Sequence, residues 1–190
     1  MRVSWQDFYA AVNGCNACDL CRTRTNVVPG EGDFHAKLML IGEGPGRDED
    51  MQGRPFVGAS GALLTKMLAA IDVPREKTYI CNVVKCRPPG NRTPAPDEAA
   101  ACIGFLRQQF ALVRPEIVVL LGKTASAYVL QQEVFIGRDH GTWFARKNVR
   151  FMPTYHPSAL LRDPSLKRAA WEDFQKIRRA LDELGGEDVK

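Results

Sequence analysis

The sequence has no run of about eighteen consecutive apolar residues, and its opening stretch MRVSWQDFYAAVNGC holds no continuous apolar block of the kind a secretory signal carries. Those absences speak against a membrane-spanning helix and an export signal, so an intracellular, cytoplasmic protein is expected. Internal repeats and low-complexity tracts are missing too, and nothing points to a repeat array. Cysteine is scarce: six in 190 residues, too few for a disulfide scaffold. In a reducing compartment, spaced thiols are more often metal ligands or core residues. Charge of either sign is not in large excess. A net +4 with pI about 8.8 is compatible with a polyanionic partner and decides nothing alone.

What is present suffices for one substantial core, and a single domain over residues 1–190 is expected. Residues 5–12 have helical spacing and stop at Asn13-Gly14, a helix-end signal just before the first cysteines. Four short apolar runs, KLMLIGE (37–43), TYICNVV (78–84), EIVVLLG (116–122) and VRFMPTY (149–155), suit buried strands. Helical spacing recurs over 59–71, 97–113 and 164–184, the last strongly charged and amphipathic. Strands alternating with helices imply an α/β fold whose parallel sheet is covered on both faces. Ligands of such sheets sit at the carboxyl ends of the strands, which here are the loops GEGPG, NVVKCRPP, GKTAS and TYHPS.

The cysteines in CNACDLC stand at every third position, Cys15, Cys18 and Cys21. A bacterial-ferredoxin run would need a fourth at position 25, which is Thr25. A thioredoxin-like pair should open a helix after a strand, whereas this one follows a helix. Cys86 and Cys102 flank a Pro-rich loop, and with an N-terminal Cys-x-x-Cys they could enclose one tetrahedral zinc or one iron–sulfur cluster. Cys81, inside a strand pattern, reads as a small buried hydrophobe. Cys21 could replace a ligand or simply face solvent or core.

Two phosphate-binding readings fail on glycine. The Gly122-Lys-Thr stretch lacks one five residues earlier, at Ile117, and Gly42-Glu-Gly44 lacks one at Arg47. The GEGPG loop still offers backbone that can approach a planar ligand closely. His156 precedes a proline at a strand end, so its ring is presented at the ligand edge. Asn82 lies in an apolar strand, where a buried amide must find partners or cost about 1–3 kcal/mol. Phe56, in GRPFVG, is a core plug or a stacking platform.

Taken together, Cys15-x-x-Cys18, GEGPGRDED, GRPFVGASG, YICNVVKCRPPGNRTP, the Cys102 helix and TYHPSALLR resemble the family 4, iron–sulfur uracil-DNA glycosylases. The resemblance runs from about Cys15 to the last helix. It implies a three-layer α/β/α fold with a central four-stranded parallel sheet, a [4Fe–4S] cluster on Cys15, Cys18, Cys86 and Cys102, and a monomer that excises uracil from DNA. Cys21 and Cys81 are then not ligands.

N-glycosidic cleavage gives the matching residues their implied roles. The nucleotide must be flipped into a pocket, where Phe56 stacks on the ring. The amide of Asn82 matches O4 and N3–H of uracil and not the reversed pattern of cytosine. His156 donates to O2 as negative charge collects on the leaving base, helped by backbone at Gly44. Glu43, ranked ahead of Glu49, positions water or offsets sugar charge, and Glu49 is a candidate for excluding thymine. Leu160 or Leu161 wedges into the base stack, while Ser158, Arg87, Arg92 and Arg162 contact phosphate or the stack. The cluster ties the N-terminal segment to the Pro-rich loop. Residues 87–96 contain no histidine, so a turnover enzyme is expected rather than one that traps the sugar covalently. The alternative from another class is a non-catalytic nucleic-acid-binding module with a structural four-cysteine metal site.

Overall fold

The computed structural model describes residues 3–186; the expected domain also takes in residues 1–2 and 187–190, which lie outside the described residues. In chain order the elements are α1 (Trp5–Asn13), β1 (Glu31–Gly32), β2 (Leu38–Gly42), α2 (Arg47–Gln52), α3 (Ala59–Ala69), β3 (Tyr79–Asn82) and α4 (Pro96–Val113). They continue with β4 (Ile117–Leu121), α5 (Lys123–Leu130), α6 (Ile136–Asp139), β5 (Phe144–Arg146), β6 (Val149–Thr154), α7 (Pro157–Arg162) and α8 (Lys167–Gly186).

The sheet has the order β1-β3-β2-β4-β6-β5. Its inner four strands are parallel, as expected, and β1 and β5 add antiparallel edges on β3 and β6. The sheet is therefore six-stranded and mixed rather than four-stranded. Edge strands of two and three residues are too short for alternation to register in a sequence.

Successive residues of each inner strand face opposite layers. Met39, Ile41, Val118 and Leu120 meet Leu106 of α4, whereas Leu38, Leu40, Val119 and Leu121 meet Leu64 and Leu68 of α3 and Phe174 and Ile177 of α8. Each such side chain contributes about 1.5–3 kcal/mol on leaving water, so both faces need a helical cover. Three α/β/α layers follow.

Local chemistry sets the helix limits. Ser4 accepts from the Asp7 N–H at 3.1 Å while the Asp7 carboxylate accepts from the Ser4 N–H at 3.1 Å, a reciprocal cap that starts α1. The helix ends at Gly14 as expected, although with φ −86° rather than in the left-handed region. The expected C-terminal helix divides into a 3₁₀ turn, Pro164–Leu166, and α8. Among the described residues no helix is long and apolar enough to cross a membrane.

Candidate active site

The carboxyl ends of β2, β3, β4 and β6 open into a cavity of about 830 Å³. All four loops singled out in the sequence line it: Glu43 and Gly44 after β2, Asn82 ending β3, Thr124 after β4, and His156 after β6, with Phe56 and Glu49 beside them.

Asn82 is 2% exposed, and its Oδ1 finds no donor among the described residues. A methyl group on Gly42 would overlap that oxygen and stand 2.7 Å from Cζ of Phe56. Glycine at the end of β2 therefore leaves the room in which amide and ring meet. Phe56 is 5% exposed and takes φ +51°, an uncommon backbone for a side-chain-bearing residue. Gly61 in the first turn of α3 allows this, because any Cβ there would run into the Phe56 carbonyl. The Phe56 and His156 rings lie 5.5 Å apart, tilted by 36°.

His156 caps α7 with its own ring: Nδ1 accepts from the Ser158 N–H at 3.1 Å, and the Ser158 hydroxyl lies 2.7 Å from the same nitrogen. A nitrogen that accepts a backbone N–H carries no proton, so in the neutral imidazole the proton sits on Nε2. Burial, with a smaller contribution from the Arg162 charge, lowers the histidine to about 4. The ring is thus a neutral donor at physiological pH. The strand end that presents it is anchored from below: Thr154 donates to the Asp173 carboxylate of α8 at 2.6 Å, and Nδ1 of His140 lies 3.0 Å from the same group.

Glu43 is half-buried and accepts from the Thr124 hydroxyl, a partner the sequence reading had not singled out. The signal was there, since Thr124 belongs to the GKTAS loop. Glu49 lines the cavity and also ties its loops together. Its carboxylate accepts from the N–H groups of Gly46, Val57 and Gly58, each at 3.1 Å, so it stitches the start of α2 to the Phe56 loop. With three amides on its oxygens, the carboxylate is held in a fixed position on the lining.

The surface residues divide likewise. Leu161 is 45% exposed, whereas Leu160 is 1% exposed and belongs to the interior, so of the two only Leu161 is open to solvent. Arg162 and Ser158 line the cavity, and Ser158 serves the histidine as well. Arg92 also lines it, but its guanidinium forms a two-pronged pair with Glu98 at 2.7 and 2.8 Å. Arg87 lies outside the lining and donates to Asn91 at 2.7 Å. Two cations not anticipated from sequence, Arg47 and Lys123, join Arg162 on the lining.

Cys15, Cys18, Cys86 and Cys102 converge on a second pocket, walled by Val12, Leu20, Val84 and Phe105. Cys21 lines it as well, and Cys81 does not. Burial pushes the Cys18 and Cys86 thiols up and Cys102 to about 11, so thiolates there need compensating positive charge. Arg24 supplies part of it, donating to Sγ of Cys86 at 3.2 Å. Among the described residues no group of three or more His, Cys, Asp or Glu is placed to hold a single metal ion. Four cysteines lining one apolar space make a donor set that an iron–sulfur cluster could use.

The family described as the uracil DNA glycosylase superfamily matches residues 29–175. The chain is 47% identical over 180 residues to a type-4 uracil-DNA glycosylase of Thermotoga maritima, covering 92% of this chain and 93% of that protein. It is 42% identical over 182 residues to one of Archaeoglobus fulgidus, covering 92% of each. A third, from Sulfurisphaera tokodaii, is 44% identical over 176 residues, covering 88% of this chain and 80% of that protein.

Proposed function

The chain belongs to the uracil DNA glycosylase superfamily and to its type-4 branch, and on that premise we propose that it hydrolyses the N-glycosidic bond of uracil in DNA, leaving free uracil and an abasic site. It is a DNA-repair enzyme, read here as one domain that acts as a cytoplasmic monomer on single- or double-stranded uracil-containing DNA. The observation that carries the reading is Oδ1 of Asn82: a buried acceptor without a donor among the described residues, on the lining of a cavity with ample room for a base. Left alone it costs about 1–3 kcal/mol, and N3–H of uracil would satisfy it.

Phe56 would stack on the extruded ring, and the amide nitrogen of Asn82 would donate to O4. Cytosine presents acceptor and donor the other way round and leaves both ends of the amide unpaired. As the bond breaks, negative charge collects on the base, and Nε2–H of His156 donates to O2. A donor that is neutral before the reaction gains in strength only as that charge develops. Glu43, oriented by Thr124, positions water or offsets the sugar's positive charge. Arg162 and exposed Leu161 face the duplex, one for phosphate and one for the gap left by the base.

Cys15, Cys18, Cys86 and Cys102 would hold a [4Fe–4S] cluster. When bound, it supplies a cross-link between the N-terminal segment and the turn that follows β3.

The test is incubation with single- and double-stranded uracil DNA, followed by alkali. Strand cuts at uracil are expected. Their absence, or activity surviving in both Asn82→Ala and His156→Ala, would leave the binding-module reading in place.

A further inference from the structure

We propose that Lys85 is a positioning residue that couples the four-cysteine pocket to the base-reading Asn82, an inference that rests on the function just stated. Lys85 is 1% exposed, among the largest fully buried side chains of the molecule. An ammonium removed from water is costly unless charge or strong hydrogen bonds replace the solvent. Its hydrogen-bond partners are neutral: Nζ donates to the backbone carbonyl of Asn82 at 2.6 Å and to Oε1 of Gln109 at 2.5 Å. Gln109 is held in turn, since its Nε2 donates to the Pro29 carbonyl and the Tyr79 hydroxyl, each at 2.7 Å.

The other side of Lys85 faces sulfur. Its backbone N–H donates to Sγ of Cys102 at 3.3 Å, and the residue lines the thiol pocket beside Cys86. Ligating thiolates therefore provide the negative charge that the lysine otherwise lacks.

The five residues from Asn82 to Cys86 thus carry the base reader at one end and a metal ligand at the other. Val83 and Val84 pin this turn to the carbonyls of Gly42 and Glu43 at 2.9 and 3.2 Å. The lysine side chain folds back to close the turn on Asn82 itself. Charge in the sulfur pocket keeps the ammonium in place, and the ammonium fixes the strand end from which the amide projects.

The experiment compares wild type and Lys85→Met, both purified with iron. It reads the reduction potential of the cluster, and KM and kcat on single-stranded uracil DNA. Loss of the cation lowers the potential, because the added electron loses a nearby buried positive charge. Loss of the strut raises KM about tenfold, the effect of one hydrogen bond from a charged donor. If either quantity stays at the wild-type value, the inference is overturned. Should K85M not retain iron, Gln109→Glu carries the test: a carboxylate beside the ammonium lowers the potential, and an unchanged potential overturns the inference. A wild type without iron or without uracil cleavage would instead overturn the function on which this rests.

Discussion

Ser158 gives its backbone N–H to Nδ1 of His156 at 3.1 Å, and that single bond decides which imidazole nitrogen holds the proton. Nitrogen-resolved NMR should show the Nε2–H tautomer, with a titration near 4 rather than the ordinary 6.5. Between those two values the unfolded chain binds the proton and the folded chain does not. This group therefore makes stability fall as pH drops from 6.5 towards 4, and His156→Gln should flatten that part of the curve. The rate profile should likewise show no inflection from His156 near 6.5.

Gly42→Ala tests the meeting of amide and ring. The added methyl overlaps Oδ1 of Asn82 and presses on Phe56, displacing both. Cleavage should fall by about 10²-fold, as expected for misplacement on the scale of 1 Å. Overpacking should cost about 1–3 kcal/mol in denaturant unfolding, leaving the chain folded.

Thr124→Val removes the hydroxyl that orients Glu43, and kcat should drop about tenfold while Thr124→Ser keeps most of it. Equal activity in all three proteins would show that the carboxylate needs no fixed orientation.

The two adjacent leucines should separate cleanly. Leu160→Ala empties a core site and should cost about 2–5 kcal/mol of stability. Leu161→Ala should change stability by less than about 0.5 kcal/mol and weaken cleavage of duplex more than of single-stranded DNA.

Iron content settles the sulfur assignment. Serine at Cys15, Cys18, Cys86 or Cys102 should abolish the visible absorption of the protein purified without oxygen, and serine at Cys81 or Cys21 should not. Cys21 is the sharper case, because it shares the pocket with the other four.

Much of this was legible in the residues. Four buried strands announced themselves as apolar runs, and the rule that ligands sit at their carboxyl ends picked the loops that line the cavity. Helices such as α2, α6 and α7 escaped notice because four to six residues show too little periodicity. Glu49 was found by its position but not by its partners, since the two amides that reach it from the Phe56 loop are a tertiary fact. Leu160 and Leu161 are indistinguishable as letters until the direction of α7 is known. Lys85 was passed over for a similar reason: nothing in NVVKC says that its ammonium points inward.

The left-handed backbone at Phe56, propped by Gly61, has a bearing on how the pocket selects. The aromatic shelf is set before any nucleotide arrives, and the folded scaffold has already absorbed the conformational expense. On the proposed function, a base of the wrong outline would meet a wall set beforehand, so discrimination would come by refusal as much as by embrace.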